Sequence, residues 1–260
     1  MAKQTAIQWT DATVNFWRGC KKVSPGCKFC YMYRDQERYG RSPEEVLRTS
    51  PTTFNQALKW LEPRRIFTNS WSDFFIEEAD DWRDDAWNVI RSTLYHQWQI
   101  LTKRPELIPA RLPCDWGTGW QNVLLGVSVE SQEYWSRADL LSKIPATSRF
   151  LSLEPLLGPI NVLQHSDGAR AIDSVDWVII GGESGNENGK YRYRPCEIEW
   201  IEKIVNDLRS HAPHVKIFIK QLGTYQFHKI GLSDRHGGEM DTWPESLDHL
   251  KIRELISFKY

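Results

Sequence analysis

The chain has 260 residues, 40% hydrophobic, 26% charged and 12% aromatic, an ordinary composition for a folded protein. Its 33 basic and 34 acidic side chains leave a formal charge of −1, which excludes a strongly basic nucleic-acid coat but not a local basic groove. The length suits one barrel of about 200–250 residues or two smaller domains, and no apolar run approaches the ~18–20 residues that span a bilayer. The stretch Met1 to Thr10 lacks the apolar core of a secretory leader, so the expectation is a cytoplasmic protein, without a membrane partner and with reduced thiols. Five cysteines, an odd number with three between positions 20 and 30, argue against a disulfide framework. Thirteen tryptophans imply large aromatic patches in the core or along a pocket.

Short apolar runs, each ending abruptly in polar residues, recur along the chain. Val14-Asn15-Phe16-Trp17 runs into Arg18-Gly19-Cys20, and Arg65-Ile66-Phe67 into Thr68-Asn69-Ser70 and Asp73. Trp98 to Leu101 meets Thr102-Lys103-Arg104, and Val123 to Val127 meets Ser128-Val129-Glu130. Phe150 to Leu153 meets Glu154-Pro155, Trp177 to Ile180 meets Gly181-Gly182-Glu183-Ser184, and Lys216 to Ile219 meets Lys220-Gln221. Such runs suit strands buried on both faces of a parallel sheet. Helical spacing of apolar residues predicts helices over Asp80–Tyr95, over Ser131–Ile144 with Ser131 as N-cap, and over Glu197–His211. A strand-then-helix unit repeated about seven times predicts an α/β fold, a parallel (β/α) barrel, complete or partial, with a doubly wound open sheet as the alternative. The expected domain is a single one over residues 1–260, with 225–260 as a C-terminal extension packing on it. No Gly-x-Gly-x-x-Gly follows the first strand, so a dinucleotide fingerprint is missing. In parallel α/β folds functional groups gather at the carboxyl ends of the strands. The residues ending these runs therefore form one predicted mouth.

The sharpest motif is Cys20…Cys27-Lys28-Phe29-Cys30-Tyr31, a C-x6-C-x2-C loop that Pro25-Gly26 lets turn back on itself. Three thiolates can hold three corners of a metal centre. A 4Fe–4S cluster normally takes four ligands, so three from protein leave one iron open to an outside ligand. Structural zinc also wants four, and no local His or Cys completes the set; zinc closed by a distant residue is the alternative. Cys196 reads as structural, and Cys114 as a loop cysteine.

A three-cysteine loop after the first strand, with an aromatic residue before its last cysteine, resembles the radical S-adenosylmethionine superfamily, whose usual spacing is C-x3-C-x2-C. A closer set consists of Gly19-Cys20, Ser24 to Tyr31, Asn69 to Phe75, Leu101 to Pro105, Gly126 to Glu130, Leu153 to Pro159, Gly181 to Gly185, Lys220 to Gly223 and Trp243-Pro244-Glu245. On it the chain resembles a phage and bacterial three-Cys-motif, radical-SAM-like family of unknown function, from about residue 4 to 255. The Asn69 to Asp73 turn is also faintly like the spore photoproduct lyase branch.

The resemblance implies a 4Fe–4S cluster on Cys20, Cys27 and Cys30, with S-adenosyl-L-methionine on the open iron and an electron-donor protein as partner. It further implies that Ser70 and Asp73 hold the cofactor amine, and that Ser128 and Glu130 hold its ribose. Glu183 becomes a cofactor or substrate contact, while Glu154, Lys103 and Lys220 are the candidate catalytic groups. An interior salt-bridge ring of Glu154, Glu183, Lys103 and Lys220 is the structural alternative for these charges. Gly181 and Gly182, though they mimic the superfamily's glycine-glycine-glutamate motif, follow the sixth strand rather than the second and read as a tight turn with close backbone approach. Arg18, Lys21, Lys22, Lys28 and Arg34 among Trp17, Phe29, Tyr31 and Tyr33 suit either a nucleic-acid substrate or a cover over the cluster. The leading expectation is an iron–sulfur, S-adenosylmethionine-dependent radical enzyme modifying or repairing a nucleic acid. The alternative is a phage protein that binds zinc or iron–sulfur and nucleic acid without catalysis.

Overall fold

A computed structural model describes residues 5–257; Met1 to Gln4, on which the reading of the chain's start partly rests, lie outside them. The apolar runs form seven strands: β1 (Ala12–Val14), β2 (Arg65–Thr68), β3 (Gln97–Thr102), β4 (Val123–Ser128), β5 (Ser148–Leu153), β6 (Trp177–Gly181) and β7 (Lys216–Gln221). They pair in chain order, every neighbour parallel. Strand order never reverses, so the switch point of a doubly wound sheet is absent. The sheet curls into an open half-barrel, and a partial parallel barrel is the architecture.

The first strand is displaced from its expected place. It ends at Val14, and Trp17–Arg18 instead pair antiparallel with Leu47–Arg48. Two asparagine side chains cause this. Phe16 donates its N–H to Asn69 Oδ1 (2.8 Å), and Asn15 Oδ1 accepts the N–H of Trp71 (2.8 Å). Side-chain bonds thus replace the ladder beyond Val14.

The helices longer than one turn are α1 (Tyr31–Arg38), α2 (Asp80–Arg91), α3 (Ser136–Ser142), α4 (Ile198–His211) and α5 (Thr224–Ile230), and a single α-turn spans Pro51–Phe54. A helix does not follow every strand. Between β3 and β4 prolines 105 and 109 open short 3₁₀ turns, because proline lacks the N–H and clashes inside a longer helix. Ser131 precedes a 3₁₀ turn and its side chain makes no cap bond, so α3 starts at Ser136 rather than after Ser131.

Helices and loops cover one face of the sheet with one large apolar cluster. A smaller cluster fills the other face: Trp9, Phe67, Leu124, Phe150, Trp177, Ile179, Phe218 and Ile256. Trp9 packs at a tilt against Phe67, ring centroids 4.7 Å apart, inside the half-barrel. Most of the tryptophan excess is core: Trp17, Trp87, Trp98, Trp135 and Trp177 are fully buried. The last segment runs antiparallel along β7, with Ile219 N–H donating to Ile252 O (2.8 Å) and Glu254 N–H to Ile217 O (2.9 Å). It covers an edge that would otherwise be free to pair. Among the described residues no helix is long and apolar enough to cross a membrane.

Candidate functional site

Side chains alternate across a strand, so the period that sends Leu124, Phe150 and Phe218 into the half-barrel sends Ser128, Ser152, Glu154 and Lys220 the same way nearer the strand ends. There a cavity of about 240 Å³ opens. Ten of the eleven predicted site residues line it: Cys20, Cys27, Cys30, Ser70, Asp73, Lys103, Ser128, Glu154, Glu183 and Lys220. Glu130 does not; its carboxylate lies behind the cysteine loop, against Gly26 N–H and Arg137. Gly181 and Gly182 behave as expected. A Cβ on Gly182 would stand 2.3 Å from Leu222 O, and one on Gly181 would stand 2.5 Å from Glu154 Oε1.

Pro25–Cys27 form one 3₁₀ turn, closed by Cys27 N–H to Ser24 O (3.0 Å), and α1 begins one residue beyond Cys30. Three contacts from distant elements pin this loop. Gly26 N–H donates to Glu130 Oε1 (3.3 Å), Arg194 Nη1 donates to Pro25 O (2.9 Å), and Arg104 Nη2 donates to Lys21 O (2.7 Å). Arg104 Nη1 also stands 3.8 Å from Cys20 Sγ. Burial, with the charge of Asp73 adding, pushes the Cys20 thiol up to about 12 against the pull of Arg104; burial also raises Cys30. Among the described residues no three His, Cys, Asp or Glu side chains stand close enough together to hold a metal ion as placed. The cysteine side chains share the cavity without forming a closed set.

The acidic residues divide by partner. Asp73 is buried and saturated: Oδ1 accepts from Thr102 Oγ1 (2.7 Å) and Phe75 N–H (2.9 Å), Oδ2 from Lys103 N–H (2.9 Å) and Arg104 (3.1 Å). It therefore organises the β3 turn and aims Arg104 at the cysteine loop, which leaves it little capacity for a cofactor amine. Glu130 is fully buried and pairs with Arg137 (2.8 Å) behind the loop. Its carboxylate supports Gly26 from outside the cavity. Glu183 receives a fork from Arg194 (2.8 and 2.5 Å). Glu154 pairs with Lys220 (2.9 Å) inside the cavity. The expected interior ring is thus one pair, because Glu183 turns to Arg194, and Lys103 has no ion pair among the described residues.

Among the described cavity-lining residues, two buried polar side-chain atoms remain without partners. Asn69 has a left-handed backbone (φ 52°), which asparagine tolerates, and its Oδ1 is taken by Phe16. Its Nδ2 is buried and bonds to nothing, as is Trp9 Nε1; both residues line the cavity. Buried unsatisfied donors are uncommon in native proteins, so these two, with the Lys103 ammonium, favour a ligand that brings acceptors. Sequence reasoning missed Asn69, Arg137, Arg194 and Trp9 as site builders. Their partners lie up to 169 residues away, so no local spacing signals them.

The family model described as a protein of unknown function, DUF5131, matches residues 4–247. The chain belongs to that family. No curated protein and no solved structure gave a match.

Proposed function

We propose that this family member holds a 4Fe–4S cluster on Cys20, Cys27 and Cys30 and acts with S-adenosylmethionine as a radical enzyme on a nucleic acid. The observation that carries this reading is the common cavity: three half-buried thiols, the unpaired Lys103, Ser128 and the Glu154–Lys220 pair line one space at the carboxyl ends of parallel strands. The donor types suit such a cluster, while the three sulfurs as placed do not yet form a metal-holding group among the described residues. Three thiols meet no fourth cysteine, because exposed Cys114 and buried Cys196 lie outside the cavity. Arg104 beside Cys20 and the charge of Lys103 near Cys30 oppose the burial that raises both thiols and would offset a cluster's negative charge.

When bound, the cluster and S-adenosylmethionine would supply one-electron chemistry and a hydrogen-abstracting carbon radical, with the electron coming from a donor protein. This chain's residues bind and orient. The Lys103 ammonium and Asn69 Nδ2 offer donors to a carboxylate. Ser70 and Ser128 offer hydroxyls to a ribose or amine. Lys220, held by Glu154, presents a donor on the opposite wall and can give a proton to an anionic substrate oxygen. The aromatic floor around Trp9 keeps water from below.

Anoxic purification with iron, sulfide and zinc analysis tests the reading, followed by electron paramagnetic resonance of the reduced protein. The expected result is about four irons per chain and a signal that S-adenosylmethionine perturbs. Stoichiometric zinc, or a protein without metal under those conditions, would overturn it. The second reading, a metal-bearing nucleic-acid binder without catalysis, draws on the full engagement of Asp73 and Glu130 inside the protein. It predicts bound metal with no cofactor cleavage.

A further inference from the structure

The segment from Arg18 to Arg41 carries seven basic and two acidic side chains, in a chain of net charge −1. It includes the cysteine loop and α1, whose residues from Cys20 to Tyr33 supply one wall of the cavity, so its basic side chains are carried on a cavity-lining segment. Lys21 and, from a neighbouring loop, Lys190 are neutralised by Glu78 and Glu37. Lys22, Lys28, Arg38 and Arg41 are exposed and form no ion pair among the described residues. Three of them lie over rings, Lys22 over Tyr33 (4.5 Å), Lys28 over Phe29 (5.2 Å) and Arg41 over Tyr39 (5.3 Å). Tyr39 is 58% exposed and its ring stands 6.1 Å from that of Trp71, which sits between the cavity residues Ser70 and Ser72.

Unpaired cations interleaved with an exposed aromatic step suit a polyanion with flat bases. We propose that this rim binds an unpaired nucleic-acid strand: Lys22, Lys28, Arg38 and Arg41 contact phosphates, and the Tyr39–Trp71 step stacks a base beside the mouth. This rests on, and deepens, the nucleic-acid part of the function above. The strand is single because the cysteines line a recess rather than the surface; a base reaches such a recess only after leaving its duplex stack.

Fluorescence anisotropy of the full chain with a labelled mixed-sequence 20-nucleotide single strand, and with its duplex, tests this. The single strand should bind more tightly, with log K falling against log salt by about 0.7 for each phosphate contact. The double variant Lys28→Glu with Arg41→Glu should lose more than about tenfold in affinity and flatten that slope by about 1.4. Tyr39→Ala should weaken binding about tenfold at an unchanged slope, because stacking carries no counterion release. Lys59→Glu with Lys216→Glu makes the same charge change on the turn ahead of β2 and at the start of β7, and should leave binding within about twofold. Equal losses in the rim and control variants, or duplex binding as tight as strand binding, would overturn the proposal. Binding needs no cofactor cleavage. Rim-dependent binding by a protein that holds no iron would sink the enzyme reading and leave this one. A cluster that responds to S-adenosylmethionine, with no strand binding, would do the reverse.

Discussion

At the scale of single residues, the cysteine loop depends on a carboxylate far from it in sequence. Glu130 is completely buried and shares its charge with Arg137, while its other oxygen faces Gly26 N–H. Removing one member of a buried pair strands the other charge, at a cost of about 3–5 kcal/mol. Glu130→Ala should therefore lower unfolding stability by that order in urea titration. It should also speed alkylation of Cys27 by releasing Gly26. Glu130→Ala with Arg137→Met should recover part of the stability but not the slow alkylation. Cys196 supplies a pH prediction of definite sign. Burial pushes its thiol up to about 12, whereas an unfolded cysteine ionises near 9. Between those values the unfolded chain binds fewer protons, so stability falls as pH rises, by about 1.4 kcal/mol per unit for this one group. It is fully present below pH ~9. Cys196→Ala should flatten the alkaline side of the urea-midpoint profile between pH 9 and 10.5. At pH 8, iodoacetamide followed by mass spectrometry should label exposed Cys114 and leave Cys196 unmodified.

At the scale of elements, close approach between strands sets how the half-barrel curves. A Cβ on Gly126 would lie 2.4 Å from the Phe150 ring, the inward neighbour on β5. That ring belongs to the inner cluster and packs against Trp9 and Trp177. Gly126→Ala overpacks this core and should cost about 1–3 kcal/mol, measured as a lower denaturation midpoint at unchanged slope. A second control lies in the β6 end, where Glu183 and Arg194 tie the strand to the Pro25 carbonyl. That tie and the Asp73–Arg104 pair hold the cysteine loop from opposite sides. The loop's position thus belongs to three strand ends at once.

At the scale of the whole molecule, the open edge is the vulnerable feature. The segment after Leu250 pairs with β7 and delivers Ile256 to the inner cluster, while Trp177 Nε1 donates to Glu254 O (2.9 Å). A chain ending at Leu250 would expose both β7 and the base of the half-barrel. It should unfold at lower urea concentration and associate with rising protein concentration in light scattering, since a bare edge strand pairs with other chains. A truncated chain as stable and as monodisperse as the full one would refute that role.

The run-and-break pattern of the chain was enough to read six of the seven strands, their parallel direction and the gathering of Cys20, Lys103, Glu154 and Lys220 at one end, while strand order came from the fold. Hydrophobic period and strand polarity are local properties, and residues a few positions apart carry them. The sequence alone did not place β1 correctly, nor find the missing helix after β3, nor separate Glu130 from the cavity. Those outcomes depend on which distant partner takes a given hydrogen bond: Asn69 for Phe16, Arg137 for Glu130, Arg194 for Glu183. Barrel closure was undecidable for the same reason. Whether β7 meets β1 or is covered by the segment after Leu250 is decided by packing between chain regions that carry no mark of each other.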